Sequence, residues 1–192
     1  MEKNSLKWYS ALGMGLLYFV FVLGGSCTGF FHPVCWAFFT VLTALLAVGP
    51  YYWLAARWQK FGVGTFLGLV VCLICLAVGE APGFWSKAMF VIGGLVADIV
   101  RQLLGNNSKK ALYYAYPFLA LGNLGMVIRL WTMPQWYYDG AIEEMGQAYA
   151  DGMAALQHPW TLVLCIVLTV AVAALSVWLA GKVDKKSAEL LK

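Results

Sequence analysis

NLGMVIRLWTMPQWYYDGAIEEMGQAYADGMAALQHP, residues 123–159, is the long polar interruption in an otherwise apolar chain. One apolar run ends within it, at about Thr132, and another begins at Pro159. Between them lie Arg129, Trp131, Trp136, Tyr137, Tyr138, the carboxylates Asp139, Glu143, Glu144 and Asp151, and His158. Aromatic and charged groups gathered between two hydrophobic segments predict a binding surface at a membrane face, with the other helices as the scaffold that fixes its depth.

Working outward, composition decides the solvent. The chain is 62% hydrophobic and 11% charged, against about 25% charged residues and roughly 45–50% apolar ones in soluble domains. It belongs in a bilayer, as an all-α membrane protein. The first apolar run has no small-residue cleavage site leading into a polar chain, so it is expected to be a retained helix. The net charge of +4 follows from insertion asymmetry and gives no support to nucleic-acid binding.

A span needs about 20 mostly apolar residues, and that length predicts six: about 7–24, 33–48, 62–79, 84–104, 111–132 and 159–182, in one domain over 1–192. The stretch from Pro50 to Lys60 is expected to lie at the interface. An inside N-terminus keeps Lys3, Lys7, Arg57, Lys60, Arg101, Lys109, Lys110, Lys182, Lys185, Lys186 and Lys192 in the cytoplasm, leaving Lys87 and Arg129 near the outside. This predicts a multi-pass plasma-membrane protein with both termini cytoplasmic. Residues 134–157 predict an outer helix with Ile142, Met145, Tyr149, Met153 and Leu156 on one face. It is either a lid over a ligand or a surface helix resting on the bundle.

Small residues at helical spacing mark close helix contacts: Ala11 with Gly15, Gly64 with Gly68, and Gly122 with Gly125. Asp98 and Arg101 share a helix face and predict an ion pair near the cytoplasmic end. Pro117 predicts a kink.

Signatures of catalysis are absent: no P-loop, no GxGxxG after a strand, no HExxH and no GxSxG. Cys72-x-x-Cys75 lies inside a span, where thiols act as small hydrophobes. Cys27 and Cys35 flank the first outer loop and could pair or bind a metal. The candidate binding residues are therefore external: His32, Glu80, Trp85, Asn123, Arg129, Trp131, Trp136, Tyr137 and His158. Arg129 lies just inside a span and needs a partner or a ligand at that depth. His32-Pro33 and His158-Pro159 both read as helix starts, and their imidazoles face one compartment, where they could ligate a metal or a haem iron.

Six spans in this length, the Ala11/Gly15 pair, the Gly49-Pro50 break running to Lys60-Phe61-Gly62, and the long outer loop ending in His158-Pro159-Trp160 resemble the substrate-binding S components of energy-coupling factor (ECF) importers. More narrowly, the chain resembles the Trep_Strep (MptE-like) group of integral membrane proteins. The resemblance implies a six-helix S-component bundle that docks through Ala11 and Gly15 onto a transmembrane T subunit driven by two cytoplasmic ATPases, with an outward pocket for a micronutrient and no catalysis of its own. Two outward imidazoles, two outward thiols and many aromatics favour haem or another metal chelate as the transported ligand. A small water-soluble vitamin or precursor is the alternative, and a small intramembrane enzyme or a purely structural membrane protein are the rivals of another class.

Overall fold

Side chains sort by size rather than by polarity along the longest helix. Its inward face carries Thr161, Cys165, Thr169, Ala173 and Ser176, while Val163, Val167, Leu175 and Trp178 point outward and are exposed. In water this arrangement would be inverted. In lipid it is the expected one, because small and weakly polar residues let helices approach closely while large aliphatic ones face the acyl chains. The first helix follows the same rule, with Ala11, Gly15, Tyr18 and Val22 inside and Leu12, Leu16, Val20 and Leu23 outside.

The computed structural model describes residues 6–79 and 83–191. Within these residues the regular structure is helical throughout and no strand occurs. The helices are α1 (Trp8–Cys27), α2 (Pro33–Ala37), α3 (Phe39–Leu46), α4 (Val48–Arg57), α5 (Val63–Ala77), α6 (Phe84–Leu104), α7 (Lys109–Gly122), α8 (Arg129–Thr132), α9 (Pro134–Met145), α10 (Gln147–Ala154), α11 (Pro159–Val183) and α12 (Lys185–Ala188). Single 3-10 turns follow α1 at Thr28–Phe30 and α7 at Asn123–Met126.

By length and composition, Trp8–Phe30 and Pro159–Val183 can each cross a membrane, and α3 with α4, bent by 43°, makes a third span if taken as one. The other expected spans are less regular than their sequence suggests. Helix α5 has 15 residues, about 22 Å at 1.5 Å per residue. Helix α6 has the length but carries Lys87, Asp98 and Arg101. The fifth run stops at Gly122 instead of continuing to Thr132.

Several boundaries move for identifiable reasons. The second run breaks at Phe38 and again at Ala47, so Gly49-Pro50 lies inside the first turn of α4, where a proline removes no helical hydrogen bond. The expected interfacial segment is therefore the continuation of a bent helix. Helix α7 tightens into a 3-10 turn where it meets α6. A Cβ on Gly93 would stand 2.7 Å from both Gly122 Cα and Phe118 O, and one on Gly125 would collide with Ser86 O. Glycine pairs also seat α5 against α6, Gly64 on Gly94 and Gly68 on the Phe90 carbonyl. The glycine signals are thus contacts within the bundle. So is Ala11/Gly15, which was expected to dock a partner: Ala11 belongs to the core, and a Cβ on Gly15 would stand 3.0 Å from the Phe66 ring and 3.2 Å from Val70.

Asp98 and Arg101, fully buried, do more than neutralise each other across 3.7 Å. The Asp98 carboxylate accepts from Gly64 N (2.9 Å), Thr65 N (2.7 Å) and Thr65 Oγ1 (2.8 Å), which caps the start of α5. Arg101 Nη2 donates to the carbonyls of Ala55 and Trp58 (both 3.3 Å), where α4 ends, and to Asn106 O (3.0 Å). An anion at a helix start and a cation at a helix end both complement the helix dipole. One turn of α6 therefore holds both sides of the α4–α5 connection. Close by, Arg57 Nη1 donates to Ser187 Oγ (2.8 Å) and Gln59 Nε2 to Leu190 O (2.7 Å), tying α12 to the same end of the bundle.

Candidate functional site

At the opposite end, where α1 and α5 finish and α6 and α11 begin, the helices form a partly open cavity of about 460 Å³. Its floor comes from the last two turns of α1 (Phe19, Val22, Leu23, Ser26 and Cys27). The end of α5 supplies Cys75, Val78 and Gly79, and the short α2 supplies Trp36. Helix α9 forms the cover with Trp136, Tyr137, Gly140, Ala141, Glu144 and Met145. Met126, Arg129 and Tyr149 complete the wall. The volume falls within the range of small-molecule sites, about 300–1,000 Å³, and the mix of an apolar lining with few polar groups is typical of them.

The early stop of α7 builds this wall. Had the fifth helix continued regularly to Thr132, residues 123–132 would run on past the bundle; instead the 3-10 turn and the four-residue α8 fold back and place Arg129 at the cavity edge. Its guanidinium lies 4.8 Å from the centroid of the Trp136 ring, a cation–π arrangement. It also abuts Gly83, where any Cβ would strike Arg129 Nη2 and where φ is +99°. Among the described residues Arg129 has no ion-pair partner.

Hydrogen bonds tie the cover to the bundle. Trp36 Nε1 donates to Tyr137 Oη, and Tyr149 Oη donates to Gly29 O at 2.7 Å. Burial raises the Tyr149 phenol pKa, and the nearby Cys35 adds to the shift. Trp131 Nε1 donates to Leu156 O at 3.1 Å. The expected single outer helix is two, because Gly146 at φ +87° breaks it, a conformation that costs other residues dearly. The pair is then clipped together: Tyr138 Oη donates to Asp151 Oδ1 (2.8 Å), and Gln147 Nε2 donates to both (2.6 and 2.8 Å). That hydrogen bond to Asp151 is the main cause of a raised Tyr138 pKa.

Of the residues expected to bind a ligand, Arg129, Trp136 and Tyr137 meet at this cavity. Others are placed elsewhere. Asn123 turns into the core, its Nδ2 donating to Tyr18 Oη at 3.4 Å. Trp85 is 76% exposed against Phe84, and Trp131 is held by its backbone bond outside the lining. Glu80 lies outside the described residues. Neither histidine lines the cavity. His32 Nδ1 accepts from Val34 N at 3.2 Å, so it caps α2, and His158 is the exposed N-cap of α11. Nor do the described residues gather three or more His, Cys, Asp or Glu side chains in one place. The imidazoles of His32 and His158, expected as haem or chelate ligands, thus stand outside the cavity lining. Cys27 and Cys35 are free thiols, not a disulfide.

Trp36 is a cavity residue that pattern reading did not single out, while Glu144 and Tyr149 were noted only as parts of the polar stretch and of the outer helix, without a binding role. Trp36 carried a usable signal, an aromatic one turn after a His-Pro helix start. Glu144 carried none, because on a helical wheel it falls on the polar side of the outer segment.

The sequence profile of the Trep_Strep family, described as a hypothetical bacterial integral membrane protein, matches residues 12–189. The chain belongs to the Trep_Strep family. Membership establishes an integral membrane protein, in agreement with the outward-facing aliphatic surface of α1 and α11. No curated protein and no solved structure matches this Trep_Strep chain. Phe30, Phe31, Phe84, Trp85 and Trp160 form an exposed aromatic fringe at the cavity end of the Trep_Strep bundle, the level at which such rings meet the headgroups.

Proposed function

We propose that this chain is the substrate-binding (S) subunit of an energy-coupling factor importer, and that it takes up a small water-soluble micronutrient from outside the cell. The observation that carries the reading is the cavity itself, set at one end of a lipid-embedded bundle under a helical cover. Its anchor is an arginine that no described carboxylate neutralises.

Sidedness supports uptake. Lys7, Arg57, Lys60, Lys109, Lys110, Lys182, Lys185 and Lys186 sit at the helix ends away from the cavity, and basic residues concentrate on the cytoplasmic side. The cavity then faces out, the chain crosses six times with α5, α6 and α7 each presenting an apolar face outward (Leu73, Ile92 and Phe118 among others), and both termini are cytoplasmic. The sequence contains no nucleotide-binding loop, so energy comes from a T subunit and two ATPases. Because Ala11 and Gly15 are turned inward, docking falls to the outward face of α1, where Leu12, Leu16 and Val20 flank the open position Gly13.

The test is co-purification. The tagged chain, extracted from native membranes in mild detergent, should bring down one multi-span membrane subunit and two ATPases, identified by mass spectrometry. Gly13→Trp should lose them without lowering the melting temperature. Recovery of the chain alone would refute the assignment.

A further inference from the structure

Two charged side chains line the cavity among the described residues, Arg129 and Glu144. They are opposite in sign and form no ion pair with each other. Their surroundings differ. Arg129 is pinned between the Trp136 ring and Gly83. Glu144 stands on α9 two turns beyond Trp136 and Tyr137 on the same cavity-facing stripe, and makes no hydrogen bond within the described chain. Around them the lining is Phe19, Val22, Trp36, Met126 and similar apolar groups.

We propose that the ligand of this cavity is a zwitterion with an apolar or aromatic body, its carboxylate on Arg129 and its ammonium group on Glu144. This inference rests on the pocket reading given under Proposed function and narrows the substrate class. Opposite charges that do not pair with each other, one half-buried and one exposed on the cover, attract a molecule that carries both complements, most strongly at the half-buried Arg129, since charge interactions strengthen as water is excluded. A simple anion would satisfy Arg129 but face the Glu144 carboxylate, and a simple cation would face the guanidinium. The same two residues therefore select for one class and against two others. A planar guanidinium also suits a carboxylate, which it can engage through two parallel N–H donors.

Cys27 supplies the readout, being an exposed thiol that lines the cavity, while Cys35 is exposed but outside the lining. The full chain in phospholipid nanodiscs is alkylated with N-ethylmaleimide, and modification of each cysteine is followed by mass spectrometry. The probes are matched triads: tryptophan, tryptamine and indole-3-propionate; phenylalanine, phenethylamine and 3-phenylpropionate; leucine, isoamylamine and 4-methylpentanoate. In at least one triad the amino acid should protect Cys27, and not Cys35, at concentrations about 10- to 100-fold below its amine or acid, the range expected for one charged hydrogen bond.

Glu144→Gln, at an exposed position, should bring the amino acid level with the acid, and Arg129→Gln should bring it level with the amine. Glu80→Gln should leave the preference intact. Equal protection by acid or amine in the wild type would overturn the proposal. So would an unchanged preference in Glu144→Gln, or transfer of its effect to Glu80→Gln. Absence of protection by every probe at millimolar concentration would also overturn it, while leaving the transport reading to the co-purification test. Protection by a zwitterion with no co-purifying ATPase would instead sink the transport reading alone.

Discussion

Replacing Asp98 by alanine removes three hydrogen bonds from the first turn of α5 and the counter-charge of Arg101 in a single step. Breaking a buried pair by deleting one partner costs about 3–5 kcal/mol, because the surviving charge is left without compensation. Here the loss is tempered at Arg101, whose Nη2 keeps the carbonyls of Ala55, Trp58 and Asn106. It is aggravated at Gly64 and Thr65, whose amides lose their acceptor. We expect Asp98→Ala to destabilise the bundle by about 3–5 kcal/mol. Adding Arg101→Met removes the orphan charge but not the uncapped amides, so the double variant should fall short of wild type by about 1–3 kcal/mol. Reversible unfolding in mixed micelles, followed by tryptophan fluorescence, gives both values. An Asp98→Ala loss below about 1 kcal/mol, or a double variant less stable than the single one, would refute the view that this turn of α6 clamps the α4–α5 connection.

Other expectations follow from the same geometry. Gly93→Leu should abolish the folded bundle, read as loss of the monodisperse peak in detergent, because the new side chain must displace the Gly122 backbone. His32→Ala should cost about 0.5–2 kcal/mol as a lost cap and, like His158→Ala, should leave ligand protection of Cys27 unchanged; a strong effect of either would restore the metal-ligand reading. Melting temperature should not respond to reducing agent, since Cys27 and Cys35 are unpaired. Tyr138 has a folded-state pKa above its unfolded value, because its hydroxyl donates a hydrogen bond to Asp151 that the phenolate would lose. Its contribution is therefore complete below the unfolded phenol range near pH 10 and is lost as pH rises through the folded value. Tyr138→Phe should flatten that alkaline limb of a pH–melting profile.

Much of the scaffold was legible in the sequence. Helix α6 begins and ends at Phe84 and Leu104 as its apolar run suggested, and α11 starts at Pro159 because a His-Pro step favours a helix start. What sequence could not reveal was which partner each glycine meets. Gly15 packs on Phe66 in its own chain, although small-residue spacing alone fits an external partner equally well. Gly122 and Gly125 read as packing residues within a longer helix, yet the helix ends at Gly122, where these glycines pack against Ser86 and Met89, and the turn that follows brings Arg129 to the cavity. Gly146 broke a segment whose amphipathic period ran straight through it. Periodicity records which residues face inward and not where the backbone turns, so Arg129, Trp136 and Tyr137 were readable as binding residues, Glu144 and Tyr149 only as parts of an outer helix, and Trp36 not at all.

Whether the cavity at the Cys27–Arg129 end opens outward and captures a solute is read by sided thiol labelling. In intact cells a membrane-impermeant maleimide should modify Cys27, should be blocked by bound ligand, and should miss a cysteine placed at Lys110. Labelling at position 110 with Cys27 reachable only after the cells are opened would contradict the account.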